Sequence, residues 1–319
     1  MINVSIIVVT YNPNYKKEIA TIKSILIQKN IEFEIIICDD GSENDYFIDI
    51  EKYFSTIGFN NYKLVKNRQN VGTVKNCYSG LKQAKGEYVF CTSPGDMLID
   101  ENVLFDFYNF SKEKNKDIVF GDAIYYSYEN NNLIIHEKKS VPQKPEVYTE
   151  GYSQLQAIVA FIIVNDAILG ATYFRRREIM LKYVERILDT SVFVEDGTTS
   201  AYALLDGICI NYFKREMIAY EYGQGISTCS NSEWDKKINE DYLHTYNKMI
   251  EYYPDNSIVK VMKLGKKYKN VFIRRLVQVA THPIIALFRI RYCFIKNKDR
   301  NIDYNKMEEK IKEILIKSN

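Results

Sequence analysis

The sequence is short of the residues that build metal centres and disulfide frameworks. Its 319 residues include only three histidines, far apart at His136, His244 and His282, and six cysteines that form no CxxC pair. Such spacing excludes the usual zinc motifs, and scattered cysteines indicate reduced thiols rather than a disulfide scaffold. We therefore expect a cytoplasmic protein.

Three further absences narrow the class of protein. There is no GxxxxGK[ST] sequence, which excludes a P-loop, and no nucleic-acid-binding motif, so no nucleic-acid partner is expected. The N-terminal MINVSIIVVT has no basic leader and no small-residue cleavage site, so it predicts a strand and not a signal peptide. Within residues 260–300, the longest stretch without Lys or Arg is thirteen residues, whereas a bilayer span takes about twenty.

Charge is distributed unevenly along the chain. Residues 260–300 carry twelve Lys and Arg against a single acid, Asp299, which gives this segment a net charge of +11 although the whole chain is only +2. The segment is also rich in aliphatic residues and contains a helix breaker, Pro283. This combination predicts a basic amphipathic arm at a membrane surface, and the alternative is a helical subdomain that packs on the rest of the chain or on a second subunit of a homo-oligomer.

Apolar runs alternate with helical periodicity through the first 120 residues, which predicts an α/β fold with a mostly parallel sheet covered on both faces. Strands are predicted at 3–9, 34–38, 62–65, 87–91 and 117–120, and helices at 73–85, 97–110, 151–165, 178–188 and 196–206. Residues 122–150 are predicted to form a hairpin or extended loop with its turn at 130–132, and the chain from about 233 onwards is predicted to be helical.

Polar, turn-forming sequences follow four of the predicted strands. They are Thr10-Tyr11-Asn12, Asp39-Asp40-Gly41-Ser42, the segment 67–76, and Ser93-Pro94-Gly95-Asp96. One such sequence alone is typical of a turn or a helix cap. Because the carboxyl ends of parallel strands meet at one edge of an open sheet, four of them predict a shared ligand site.

The ordered motifs VSIIVVTYN, IIICDDGSEND, NVGTVKN, AKGEYVFCTSPGD and VEDGTTSAYALLDG resemble the family 2 glycosyltransferases of the GT-A fold. The resemblance covers about the first two hundred residues. It implies a Rossmann-like catalytic domain at 1–230, with a donor half at about 1–120 and an acceptor half at about 121–230. A helical region at 231–319 with the basic arm 260–300 would follow.

The resemblance also implies an activity. The chain would be an inverting enzyme that moves a sugar from a nucleotide diphosphate, with a UDP-sugar favoured, to an acceptor hydroxyl of a bacterial surface polysaccharide or lipid-linked glycan. It would work in the cytoplasm or on the inner face of the cell membrane. The alternative is a non-catalytic nucleotide-sugar-binding scaffold that retains the fold.

Donor-site residues are carried over from the matching motifs. Thr10 and Tyr11 would line the nucleoside pocket, and Asp40, or else Asp39, would accept a hydrogen bond from uracil. The alternative for Asp39 is that it orients the turn. Lys75 stands where the family often has Arg, and its cation would meet diphosphate oxygens. The other donor-site residues implied in this way are Asn12, Asn70, Gly72, Asn76, Ser93 and Gly95.

The resemblance implies a metal and a catalytic base as well. Asp96 is the remaining carboxylate of an Asp-x-Asp triplet whose first position is Pro94, and it would bind Mg²⁺ or Mn²⁺; the alternative is a helix cap before residues 97–110. Asp196 would be the base, and Glu195 would orient it or hold the acceptor. The alternative for this pair is two solvated acids at the start of a helix. Gly197 stands where the family often has an aromatic residue, and 222–227 resembles the loop that folds over the donor.

Overall fold

The computed structural model describes residues 2–129, 132–137, 139–223, 225, 228, 232–296 and 302–316. Its first part alternates strands and helices as the apolar pattern predicts. In chain order the elements are β1 (Val4–Thr10), α1 (Tyr15–Leu26), β2 (Phe33–Asp39), α2 (Phe47–Ile57), β3 (Tyr62–Lys66), α3 (Thr73–Leu81), β4 (Tyr88–Thr92), β5 (Met97–Leu98), α4 (Val103–Glu113) and β6 (Ile118–Glu129).

The second part adds the remaining strands and ends in helices. The elements are β7 (Asn132–Ile135), α5 (Gln154–Ile158), β8 (Tyr173–Arg176), α6 (Arg177–Ile187), α7 (Glu195–Leu205), β9 (Ile210–Glu221), α8 (Ser232–Tyr252), α9 (Ser257–Lys267), α10 (Val271–Thr281), α11 (Pro283–Phe294) and α12 (Tyr304–Ile316). Helix α5 continues as a π-helical segment, Val159–Val164. Within the described ranges, no helix has the length and apolar character that a membrane crossing requires.

The strands form one sheet in the order β3-β2-β1-β4-β8-β6-β9-β5, with β7 paired to β6. The α/β class is confirmed, but the sheet is mixed. Strands β3, β2, β1 and β4 are parallel, and so are β6 and β9. Strand β8 lies antiparallel between β4 and β6, and β5–β9 and β6–β7 are antiparallel too. The predicted division at residue 120 falls inside β6.

Helices cover both faces of this sheet, and the side chains of β1 point alternately towards the two faces. Ile6 and Val8 point into the apolar layer on one face, which contains residues of α1, α2, α4 and α12, whereas Ile7 points into the layer that contains residues of α3, α6 and α7. All three side chains are fully buried. Each such side chain contributes about 1.5–3 kcal/mol of apolar burial, so β1 stabilises the layers on both faces of the sheet.

The elements that differ from the sequence prediction include α4, β9 and α2. The helix expected from residue 97 begins only at Val103, because Met97 and Leu98 form β5 against β9. Strand β9 itself was not predicted, since the charged run Lys214–Glu216 interrupts its apolar character. Helix α2 was not predicted either, and it buries only Ile50 and Phe54. The turn expected at 130–132 lies largely outside the described residues, although β6 and β7 do pair antiparallel on either side of it.

Candidate active site

A cavity of about 1240 Å³ opens where β1, β2 and β4 end, and the starts of α3 and α7 and one face of α8 complete its walls. Asp40, Asp96 and Asp196 all line it. So do most of the other predicted site residues, namely Thr10, Tyr11, Asn12, Asn70, Gly72, Asn76, Ser93 and Glu195. The sheet therefore brings the predicted base, metal and nucleoside residues to one place.

The adjacent acids Asp39 and Asp40 have different surroundings. Asp39 is fully buried and is not among the cavity-lining residues. Its carboxylate accepts the Ser42 N–H at 2.8 Å, the Ser42 hydroxyl at 2.5 Å and the Thr10 hydroxyl at 3.2 Å. Asp39 therefore orients the turn after β2, which is the alternative role considered for it, and it does not line the cavity. Asp40 is the member of the pair that reaches the cavity.

Asp40 also fixes the segment that leads into α3. Its Oδ1 accepts the Asn67 side-chain amide and the Val71 N–H, both at 3.0 Å, and its Oδ2 accepts the Gly72 N–H at 2.9 Å. Gly72 has a φ of +88°, and a Cβ there would overlap Val192. Only glycine therefore allows this close approach, which is reinforced by the Val74 N–H donating to the Val192 carbonyl at 3.0 Å.

Besides Asp39, the predicted donor-site residues that do not line the cavity are Lys75 and Gly95. Lys75 is exposed and does not line the cavity, whereas Thr73 and Asn76 do, because successive helical residues point about 100° apart. Gly95 lies behind the cavity wall, where its carbonyl accepts the Tyr126 hydroxyl at 2.5 Å. The lysine that does line this part of the cavity is Lys17, which the sequence analysis did not select.

Asp96 faces a second carboxylate, Glu221, at the end of β9. Its Oδ1 accepts the Glu221 N–H at 3.3 Å, and the Lys17 ammonium donates to Glu221 Oε1 at 2.6 Å. Burial raises the pKa of Asp96 to about 8, and repulsion from the Glu221 carboxylate adds to this increase. Asp96 precedes strand β5, so the helix-cap alternative does not apply.

Two observations test whether this group suits a divalent metal ion. Glu221 Oε2 is buried without a hydrogen-bond partner among the described residues, and Lys17 balances only one of the two carboxylates. In the described part of the chain there is no cluster of three or more His, Cys, Asp or Glu. Mg²⁺ commonly takes one or two protein carboxylates and completes its shell with substrate phosphates and water. Asp96, which lines the cavity, fits that requirement, and Glu221 is a second carboxylate beside it that does not line the cavity.

Glu195 and Asp196, at the start of α7, have separate surroundings. Glu195 forms an ion pair with the buried guanidinium of Arg175, which lies 4.2 Å from the centre of the Tyr173 ring. Asp196 accepts the Gly197 N–H at 2.7 Å, and its Oδ2 lies beside Gly170, where a Cβ would be only 2.5 Å away. Burial, and then the charge of Glu195, raise the pKa of Asp196. A carboxylate with a raised pKa is a stronger base.

Helix α8 supplies a cavity wall that the sequence analysis missed. Trp234, Lys237, Ile238 and Tyr242 line the cavity and recur at helical spacing along one face of the helix. A Cβ on Gly197 would lie 2.8 Å from the Tyr242 hydroxyl. The space beside the acid pair, where an aromatic residue was expected at position 197, is therefore taken by Tyr242. The sequence did offer a signal for this wall, because the only tryptophan of the chain lies at helical spacing from Ile238 and Tyr242.

Asp241, next to Tyr242, connects α8 by hydrogen bonds to the loop 191–194, which precedes Glu195 and Asp196. Its Oδ2 accepts the N–H groups of three consecutive residues, 192, 193 and 194, at 2.8, 2.5 and 3.2 Å, and the Ser191 hydroxyl at 3.1 Å. The same loop carries the Val192 carbonyl that accepts from α3. One buried carboxylate thus links the helical region to both sides of the cavity.

The predicted loop 222–227 is only partly described. Gln224, Ile226 and Ser227 lie outside the described residues, whereas Tyr222 and Gly225 line the cavity. The Lys139 ammonium lies 3.8 Å from the centre of the Tyr222 ring. The end of the predicted arm, 297–300, is likewise outside the described residues.

Comparison with known proteins connects this geometry to a family. Residues 5–179 match the family model described as glycosyl transferase family 2. The poly(ribitol-phosphate) beta-N-acetylglucosaminyltransferase TarP of Staphylococcus aureus is 40% identical over 201 residues, which are 60% of this chain and 59% of TarP. A cholesterol galactosyltransferase of Borreliella burgdorferi is 29% identical over 202 residues, 60% of this chain and 52% of that protein. The matches thus span between half and three fifths of these relatives.

Solved structures show the same fold. S. aureus TarS 1–349 in complex with UDP-GlcNAc superimposes with a TM-score of 0.55 at 19% identity, over 92% of each chain. The complex of the same fragment with UDP gives a TM-score of 0.54 at 18% identity, over 88% of this chain and 75% of that one.

Proposed function

Because the chain belongs to glycosyl transferase family 2, we propose that it transfers a sugar from a UDP-sugar to a hydroxyl of a cell-surface polymer. The observation that carries the proposal is the convergence of Asp40, Asp96 and Asp196 on one cavity. TarP is named for N-acetylglucosamine transfer to poly(ribitol-phosphate), so UDP-GlcNAc and a polyol-phosphate polymer are the first donor and acceptor to test. A lipid-linked acceptor would place the enzyme at the inner face of the membrane.

The donor would bind where β1 and β2 end. Thr10 and Tyr11 line this part of the cavity, and the Tyr11 ring is about half exposed and available to stack on a base. Asp40 would accept from the uracil imide, sharing oxygens that already hold Val71 and Gly72. Donor binding and the position of the segment before α3 are therefore coupled.

Asp196 would act on the acceptor. Its carboxylate takes the proton of the acceptor hydroxyl while the acceptor oxygen forms a bond to the anomeric carbon. The bond from that carbon to the β-phosphate oxygen breaks, UDP leaves with the electron pair, and the configuration inverts. General-base catalysis of this kind contributes about 10²–10⁴-fold. Glu195 acts indirectly, since its ion pair with Arg175 fixes the first turn of α7.

Asp96 would hold Mg²⁺ or Mn²⁺, with the Glu221 carboxylate beside it. A bound divalent ion neutralises the negative charge that develops on the departing diphosphate. Lys17, which is held at the same place by Glu221, contributes a fixed positive charge to the cavity wall. The three side chains thus form the electrostatic part of the donor site.

UDP release from a panel of UDP-sugars, with Mn²⁺ or with EDTA, tests the proposal. The wild type should release UDP from at least one donor, and Asp196→Asn should lower turnover by at least 100-fold while UDP binding is unchanged. Asp189→Asn, a change of a nearby exposed acid, is the matched control and should behave as the wild type. Binding of UDP without turnover of any donor and acceptor would favour the non-catalytic scaffold, and equal turnover of Asp196→Asn would remove Asp196 as the base.

A further inference from the structure

Exposed apolar side chains are concentrated on α10 and α11. These two short helices carry nine of the eighteen large hydrophobic side chains that are exposed in the described part of the chain. Phe272 and Phe294 are 70% and 80% exposed. A contiguous apolar surface on a folded protein marks a site for a protein or membrane partner.

The helical geometry places six of these nine side chains on one stripe of each helix. At 100° per residue, Phe272, Leu276 and Val279 of α10 fall within an arc of about 60°, and Ile284, Leu287 and Phe294 of α11 fall within an arc of about 80°. The helices pack against each other and are joined at His282–Pro283, so they form a helical hairpin.

The opposite side of α11 is already occupied by the catalytic domain. Ile285 packs with Val159 of the π-helical segment, and the Tyr292 hydroxyl donates to Asp166 at 2.6 Å. The Gln156 side chain donates to the Phe288 carbonyl at 3.0 Å. The hairpin is therefore fixed to the body through one face, and its apolar stripes are not needed for that attachment.

Positive charge surrounds the stripes. Residues 260–296 contain ten Lys and Arg and no acid. Among the described residues, no acidic group is within ion-pair distance of Arg274, Arg275, Arg289 or Arg291. Burial, and then the neighbouring cations Arg275 and Arg274, lower the pKa of Arg289. The cluster is thus short of counter-charge.

We propose that the α10–α11 hairpin docks on an anionic lipid bilayer, with its apolar stripes in the interface and its arginines at the phosphate headgroups. A bilayer of this kind supplies both the apolar layer and the negative charge that the hairpin lacks. A second copy of the chain would bring the same cationic face against itself, since a two-fold interface joins identical patches. The inference deepens the proposed location at the membrane, but its test needs no sugar transfer.

Vesicle flotation tests the docking. The full chain should bind phosphatidylglycerol-containing vesicles at least tenfold more tightly than phosphatidylcholine vesicles, and binding should weaken with salt. Leu276→Glu combined with Leu287→Glu should weaken binding at least tenfold. The matched control, Ile48→Glu with Ile57→Glu, changes two exposed apolar residues on α2 and should bind as the wild type.

Equal flotation of the hairpin variant and the wild type would overturn the proposal, as would a wild type that does not bind anionic vesicles. A dimer in sedimentation that only the hairpin variant dissociates, with no vesicle binding, would identify a second copy as the partner and also overturn it. UDP release without vesicles, measured on every variant, separates the two proposals. A chain that floats but releases no UDP retains the docking surface and loses the proposed function.

Discussion

Asp241 provides a direct test of how α8 is joined to the active site. Its single Oδ2 accepts three backbone N–H groups and the Ser191 hydroxyl, in a side chain that is only 7% exposed. In Asp241→Ala the three backbone N–H groups lose this acceptor, whereas the Ser191 hydroxyl keeps the Val194 carbonyl at 3.1 Å. A buried polar group without a partner destabilises by about 1–3 kcal/mol, and water can satisfy some of the three. We expect a loss of about 3–5 kcal/mol in the free energy of unfolding.

That loss is a large fraction of the roughly 5–15 kcal/mol that stabilises a typical domain, so the alanine variant is the severe case. Asp241→Asn keeps an acceptor oxygen but replaces charge-assisted hydrogen bonds by neutral ones, which should remove about 1–3 kcal/mol. This variant should fold. Its turnover per folded molecule should nevertheless fall at least tenfold, because the loop 191–194 leads directly into Glu195 and Asp196.

Urea denaturation and UDP release, measured on the same preparations, check both expectations. Asp235→Asn, a change of an exposed acid on the same helix, is the control and should alter neither quantity. A variant Asp241→Asn with wild-type stability and turnover would refute the role assigned to this carboxylate. Lowered stability with unchanged turnover would show that Asp241 is only structural.

Further predictions concern pH and fit. The rate of UDP release should rise with pH through the pKa of Asp196, which burial and Glu195 place above its usual range, and a rate that is flat from pH 4 to 8 would contradict this. Glu18 is fully buried, and burial raises its pKa to about 8. Its contribution to stability is therefore present below about pH 4.5 and is lost as pH rises towards 8. In urea denaturation, Glu18→Gln should raise the free energy of unfolding at pH 8, by an amount on the order of a few kcal/mol, and should leave it unchanged at pH 4. Mn²⁺ affinity, measured by calorimetry, should increase up to about tenfold per pH unit below pH 8, because the proton on Asp96 must leave. Gly197→Ala should raise the acceptor KM at least several-fold by displacing Tyr242, and Tyr242→Phe in the same chain should restore part of the loss if the clash is with the hydroxyl.

The elements that the sequence predicted correctly are those with a local signal. Strands β1, β2 and β4 are buried apolar runs, so a short window is sufficient to recognise them. Strand β9 has a charged middle, Lys214–Glu216, and is defined by pairing with β6 almost a hundred residues earlier. Pairing between strands so far apart in the chain gives no pattern that a short stretch of sequence would show. Strand β9 was therefore missed in the sequence and, with it, Glu221 at the end of that strand.

Within the site, the sequence placed residues at the right strand ends but could not orient all of them. Asp39 and Asp40 are neighbours in a turn, and only the hydrogen bonds of Ser42 and Gly72 decide which one is buried in that turn and which one reaches the cavity. Lys75 lies one helical position from Asn76 and points elsewhere. The contributions of α8 depend on how a distant helix packs, which no motif of the first two hundred residues describes.

The strand order has a consequence for how such an enzyme could diversify. Strands from the first 120 residues occupy both ends of the sheet, with β8, β6 and β9 enclosed between β4 and β5, and β6 itself crosses residue 120. Two polypeptides cut at that point would each present unpaired strand edges and would be prone to aggregation when made separately. The two halves of the sheet therefore do not form separate folding units. Substitutions at the strand ends, or on the helix that closes over them, can change the cavity without separating the halves.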